Sequence, residues 1–252
     1  MMRSLAELTK MRAACRMATQ VLRAAAKSAE PGMTTSQLDA VIGRKIGLLG
    51  GVSAFLGYRG FPGFSCLSVN EEVIHGIGSK RRLEFGDLLK IDIGVRYLGY
   101  IGDTAITVAV GGCSPLAQKM MNATVEALYQ GISAARGGES VQSVGRAVSK
   151  RVQADGFGVV REFCGHGVGK SLHEDPQIPN YSDPKDRSRF KSGMTVAIEP
   201  MVTMGGAAVE ILEDGWTVVT RDRKLSAHFE HTILITDSEP EILTRDEDEP
   251  LY

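Results

Sequence analysis

Cysteine is scarce. The four residues, Cys15, Cys66, Cys113 and Cys164, are scattered over 252 positions and form no CxxC pair. That spacing excludes a zinc ribbon, a thioredoxin-like redox motif and a disulfide framework, and it fits a reducing cytoplasmic setting. Long apolar runs are missing as well: none approaches the roughly 18 residues of a membrane helix. The opening MMRSLAELTKMR is periodic and charged at once, unlike a signal peptide. No charge excess exists either, since 29 Lys and Arg stand against 30 Asp and Glu, a net of −1. A DNA-binding protein would carry a clear basic surplus. Two local basic clusters, Lys80-Arg81-Arg82 and the stretch from Lys185 to Lys191, read as solvated loops. Docking to a polyanion such as a ribosome is the other reading of them.

What is present has a clear order. Leu5, Leu8, Met11, Cys15, Ala18, Leu22 and Ala25 recur in steps of three and four, marking one face of a helix from Ser4 to Ala29. Thr34 with Gln37 forms a capping-box pattern for a second helix. LLKIDIGV and ITVAV, joined by RYLGYIGD, predict a β-hairpin. Ser114-Pro115 supplies a cap and an N1 proline for a third helix to about Arg136, and a fourth spans Ser140 to about Asp155. Strands are expected near 158–163, 195–203, 207–212, 216–220 and 227–236, with Asp214-Gly215 as a hairpin turn. Helix, helix and strands thus occur twice. The fold class is α+β, a central antiparallel sheet with helices outside, in two halves at about 4–113 and 114–240. Residues 241–252 read as a charged tail.

Certain polar residues stand in apolar places. A hairpin turn centred between Tyr97 and Leu98 would set Asp92 directly opposite Asp103, with Cβ atoms roughly 4.5–5.5 Å apart. Facing carboxylates repel, so they need a cation, unless Asp103 lies past the strand end in solvent. Glu199 in TVAIEPM and Glu230 in AHFEHTILIT interrupt apolar strands, as metal ligands or as salt-bridged core residues. His166 and His173, two of only five histidines, share the glycine-rich stretch CGHGVGKSLHEDP, and His75 sits in NEEVIHGIG. Oxygen and nitrogen donors without thiolates favour Mn, Fe(II), Co or Zn in a binuclear hydrolytic site.

The phosphate-loop alternative fails. Gly169-Lys170-Ser171 would end a GxxxxGK[ST] motif, but its first glycine is replaced by Cys164, and Pro176 and Pro179 leave no room for the helix that should follow. HEDPQ is not HExxH, because Gln177 stands where the second histidine belongs.

The Asp hairpin, GHGxG…H, IEP and FEHT segments, with GYRGFPGFSCLSVNEEVIHGIG before them, resemble type I methionine aminopeptidases from about residue 5 to 240. The resemblance implies the pita-bread fold in a single catalytic domain over 1–240. It implies two divalent metal ions (Co, Mn, Fe(II) or Zn) held by Asp92, Asp103, His166, Glu199 and Glu230, with Asp103 and Glu230 bridging. Glu199 would also shuttle a proton, while His173 would contact the substrate carbonyl and His75 the scissile nitrogen. Tyr58, Phe61, Cys66, Phe163 and Trp216 would border a methionine pocket. The implied substrates are peptides and nascent chains beginning with methionine, handled by a cytoplasmic monomer that contacts no membrane or DNA. Departures are small: MMRS is short and leaves adjacent surface less covered, and Ile101 replaces a more usual aromatic or histidine. Aminopeptidase P or prolidase relatives would bring an extra N-terminal domain, and a non-catalytic binding relative would have no need of four buried carboxylates.

Overall fold

The computed structural model describes residues 2–245; the stretch 246–252 lies outside the described residues. The first run comprises α1 (Leu5–Ser28), α2 (Thr35–Leu48), β1 (Val52–Ser53), β2 (Cys66–Val69), β3 (Glu72–Ile74), β4 (Leu88–Tyr97) and β5 (Tyr100–Ala109). The second opens with α3 (Pro115–Ala134) and α4 (Gln142–Ala154), then β6 (Gly158–Val159), β7 (Cys164–Gly167) and β8 (Glu174–Pro179). It closes with β9 (Thr195–Ile198), β10 (Met201–Thr203), β11 (Val209–Ile211), β12 (Val218–Thr220), β13 (Ser226–His228), β14 (Glu230–Leu234) and β15 (Glu241–Ile242). Capping boxes at Ser4/Glu7 and Thr34/Gln37 open the first two helices, and Ser114 with Pro115 opens the third. Among the described residues no helix is long and apolar enough to cross a membrane.

A nine-stranded antiparallel sheet runs β1-β4-β5-β14-β9-β7-β8, with β2 also on β4 and β15 on β14. Two three-stranded sheets, β13-β10-β6 and β11-β12-β3, flank it. α1 lies against β4 and β5, and α3 packs on α4. The buried face of α1 is the expected stripe from Leu8 to Ala25, but Leu5 is 82% exposed. At about 100° per residue, Leu5 falls roughly 110° from the centre of that stripe.

The β4–β5 hairpin turns about a centre one residue further along the chain than expected, between Leu98 and Gly99. Tyr97 pairs with Tyr100, leaving Leu98 and Gly99 as a two-residue turn with φ of 50° and 80°. Two positive φ values match the right-handed twist of the strands, and Gly99 takes the second without steric cost. Asp92 therefore faces Ala105, and Asp103 faces Gly94. Because the slip is two residues, both carboxylates keep the same face as diagonal neighbours, roughly 7–8 Å apart instead of directly opposed. Asp103 is buried inside β5, so the solvent alternative is overturned.

Both glutamates sit where a strand changes sheets. The expected strand 195–203 breaks at Glu199-Pro200: β9 belongs to the large sheet, and β10 to a small one. Pro200 has no N–H for the ladder, which allows the break. The expected strand 227–236 breaks at Phe229, so β13 pairs β10 while β14 pairs β9 and β5. The segment expected as a glycine-rich loop is also different. β7 and β8 form an antiparallel pair, with His166 in the strand opposite Gln177 and His173 in the connection. A Cβ on Gly165 would strike the Ala197 carbonyl, and one on Gly167 the Asp175 carbonyl, so these glycines let neighbouring strands approach rather than a ligand. β8 is the edge strand and accommodates its prolines there.

The expected tail is ordered at its start. Glu241 and Ile242 form β15, Leu243 and Thr244 are buried, and Arg12 makes a two-pronged contact with Glu241 at 2.7 and 2.6 Å. Lys90, 1% exposed, donates to the carbonyls of Asn70, Ser226 and Leu88 at 2.7, 3.3 and 3.4 Å.

At the start of α1, the Tyr100 hydroxyl donates to Glu7 at 2.6 Å, the Ser4 amide donates at 3.0 Å, and Lys170 Nζ lies 3.2 Å away. Together they hold the Glu7 carboxyl at about 2 instead of 4.5. A depressed carboxyl contributes stability above its unfolded pKa, and that contribution is lost as pH falls through the folded value. The urea midpoint should therefore drop between pH 4.5 and about 2, and Glu7→Gln should make the drop shallower. An unchanged profile in the variant would assign the acid sensitivity elsewhere.

Candidate active site

One cavity of about 580 Å³ opens beside the large sheet, and every site residue expected from the sequence lines it. Asp92 comes from β4, Asp103 from β5, His166 from β7, Glu199 from the end of β9, and Glu230 from the first position of β14. Three of these converge most tightly: donor atoms of Asp103, His166 and Glu230 lie within 4.8 Å of one another, all buried. His166 Nε2 stands 3.8 Å from Asp103 Oδ2 and 3.4 Å from Glu199 Oε1. Asp92 and Glu199 line the same floor but stand outside that tightest group.

The supporting bonds tie this floor to the backbone. Thr232 Oγ1 donates to the Asp103 carbonyl at 2.7 Å and accepts from its amide at 3.3 Å. Thr104 Oγ1 donates to the Glu230 carbonyl at 2.9 Å, and Asn180 Nδ2 to the Glu199 carbonyl at 3.0 Å. The Gly167 carbonyl lies 2.9 Å from His166 Nδ1. A carbonyl only accepts, so Nδ1 carries the proton and Nε2 presents its lone pair to the carboxylates.

Burial first, and neighbouring negative charge second, pushes the carboxyls of Asp92, Asp103, Glu199 and Glu230 well above the usual range. Burial lowers His166 to about 3 and His75 to about 4, and it also lowers His173. Neutral imidazoles beside crowded carboxylates form a cation-seeking set. The fit is visible in atoms as well: Asp92 Oδ1, Asp103 Oδ1 and Glu230 Oε1 are buried with no hydrogen-bond partner among the described residues. Leaving several buried carboxylate oxygens unpaired is costly, and a divalent cation would satisfy all of them. The donor set of oxygen and imidazole nitrogen suits borderline and hard divalent ions.

Above this floor stand the other expected residues. His173 Nδ1 lies 2.7 Å from the Tyr58 hydroxyl, and its ring centre 4.3 Å from that of His166. His75, at φ 59°, meets the rings of Phe163 and Trp216 edge-on at 5.7 and 6.3 Å. Trp216 in turn meets Phe61 at 5.1 Å, and Cys66 pairs with Asp92 across β2 and β4. His228 was not anticipated. It is buried, its Nε2 lies 3.6 Å from Glu199 Oε2, and burial lowers it to about 3. It pairs with Met201 of β10 on the far side of the break at Phe229, a long-range placement that the local sequence pattern does not signal.

The signature of metallopeptidase family M24 matches residues 9–237. Methionine aminopeptidase 1 of Bacillus subtilis is 47% identical over 239 residues, covering 95% of this chain and 96% of that protein. The crystal structure of methionine aminopeptidase from Thermotoga maritima superimposes with a TM-score of 0.94 at 40% identity, covering 98% of this chain and 100% of that one. A prolidase from Pyrococcus furiosus shares the fold alone, with a TM-score of 0.80 at 24% identity and 66% of its length covered. The pita-bread architecture expected from the sequence is thus the fold of this chain. With that architecture and a buried cluster suited to divalent metal, the chain belongs to the methionine aminopeptidases of metallopeptidase family M24.

Proposed function

We propose that this protein hydrolyses the first peptide bond of peptides and nascent chains that begin with methionine. The observation that carries the reading is the cavity itself, which joins the orphaned carboxylate oxygens of the floor to an aromatic and sulfur-bearing wall. Asp92, Asp103, His166, Glu199 and Glu230 would hold two divalent cations, which supply Lewis acidity and hydroxide near neutral pH. Mn, Co, Fe(II) and Zn all accept this donor set.

The remaining steps belong to the chain's own groups. The Glu199 carboxylate takes the proton from the attacking water and returns it to the leaving amine. With the Tyr58 hydroxyl, 2.7 Å away, donating to His173 Nδ1, the proton would stand on Nε2 to stabilise charge developing on the substrate carbonyl oxygen. His166 and His173 thus carry opposite tautomers, one for holding a cation and one for donating to substrate. His75 would contact the scissile amide nitrogen. Tyr58, Phe61, Cys66, Phe163 and Trp216 enclose the flexible thioether, which gains from sulfur and aromatic contacts.

A monomer in the cytoplasm suits the four free cysteines. Ribosome docking would fall to the exposed Lys185, Arg187 and Arg189, since Arg81 is already paired with Glu72 at 2.8 Å. The test uses Met-Ala-Ser and its N-acetylated form with metal-loaded protein. The free peptide should lose its first residue, and the acetylated one should resist, because the carboxylate-rich floor receives a free amine. Efficient cleavage of the acetylated peptide, or none of the free one, overturns the reading.

A further inference from the structure

Arg3 precedes α1 in an extended segment. Its amide donates to the Gly193 carbonyl at 2.8 Å, and Met2 bridges Met194 in antiparallel fashion. The side chain turns inward and is only 1% exposed. Nε donates to Thr195 Oγ1 at 3.2 Å and Nη2 to the Val168 carbonyl at 3.3 Å, while Nη2 also pairs with Glu174. The guanidinium fills the space that a Cβ on Gly169 would need. MMRS was expected to cover little; instead it sends a cation into the protein. Burying a guanidinium is costly unless its donors are met, and here a carboxylate and two neutral oxygens meet three of its five.

Glu174 has a second task. Its Oε1 accepts the amides of Lys170 and Ser171 at 2.9 and 3.1 Å, closing the connection between β7 and β8 into a ring. His173 is the residue immediately before Glu174. The middle of this connection has other anchors, with Ile101 N–H donating to Gly169 O at 2.8 Å and Arg96 Nη1 to Lys170 O at 2.9 Å. The end that carries His173 is held from below by the Arg3–Glu174 pair, and from across the cavity by Tyr58.

We propose that Arg3 is a positioning residue which, through Glu174, sets His173 where it meets the substrate carbonyl. This rests on the role given to His173 above. Arg3 touches no reacting atom; it fixes the loop on which one donor stands. Placement errors of about 1 Å at such a donor cost up to about 100-fold in rate.

The test is a double-mutant cycle on metal-loaded protein, with Arg3→Met, His173→Ala and their combination, plus Arg3→Lys. The readouts are kcat and KM on Met-Ala-Ser, bound metal and Tm. Arg3→Met should lower kcat about 10- to 100-fold, with KM within about threefold and metal content unchanged. Arg3→Lys should recover part of the loss. In the His173→Ala background, Arg3→Met should change kcat by less than about twofold, because its route of action is already gone. The proposal is overturned if Arg3→Met keeps kcat, if the full loss repeats in the His173→Ala background, or if it tracks lost metal. Should Arg3→Met not accumulate folded, Glu174→Gln carries the same cycle with the loop's amide acceptor retained. An unchanged kcat in His173→Ala alone would instead sink the role of His173, a separate failure.

Discussion

Stripping divalent metal with a chelator will abolish cleavage of Met-Ala-Ser, and adding Mn(II) will restore it. The cause is the crowding of four carboxyls, each raised by burial and then by acidic neighbours in the metal-free protein. Carboxyls whose folded pKa exceeds the unfolded value take up protons on folding. Their contribution is fully present below the unfolded range, about 4, and is lost as pH rises through the raised folded values. Divalent metal needs these ligands deprotonated, so it replaces the protons and removes the penalty. The rise in Tm on adding Mn(II) should therefore be larger at pH 8 than at pH 5. At a hundred times Kd the stabilisation is about 2.7 kcal/mol. Glu230→Gln should lose both the Tm gain and the activity. Residual turnover in fully stripped protein, or equal Tm gains at both pH values, would count against a metal-dependent site.

His173→Ala should lower kcat by about 100- to 1,000-fold, the usual cost of losing one donor to a developing oxyanion. Metal content should not change. His173 lies 4.3 Å from His166 between ring centres, yet its own Nδ1 is committed to Tyr58. Tyr58→Phe should show a smaller fall, since it removes only the group that sets the tautomer. Measuring bound metal beside kcat separates the two jobs of the loop histidines. If His173→Ala loses metal in proportion to activity, then His173 is a ligand and the division drawn between it and His166 is wrong.

Much of this was legible because each feature has a local cause. The caps at Thr34 and Ser114 are short-range patterns, and both appear in the structure. The carboxylates of the floor were legible as polar types in apolar strands, whereas the aromatic and sulfur-bearing wall came only with the family resemblance. The hairpin register was not, because turn centre depends on which residues take positive φ, and Leu98 gives no sign of doing so. The breaks at Pro200 and Phe229 depend on which sheet each half-strand joins, a long-range matter. Lys90 reads as an ordinary strand residue; nothing nearby shows that carbonyls of Asn70 and Ser226 will meet its ammonium. Arg3 is the same case, since its partners lie at 168, 174 and 195. His228 belongs with them, since its place beside Glu199 follows from the pairing of β13 with β10.

The breaks at Glu199-Pro200 and Phe229-Glu230 fall side by side, since β9 pairs β14 and β10 pairs β13. They form a seam along which one ribbon is shared by two sheets, and the floor of the cavity lies on it. A cation gripping Glu199 and Glu230 there would act as a rivet. It would couple the stiffness of the small β13-β10-β6 sheet to metal occupancy, although that sheet supplies none of the five expected ligands.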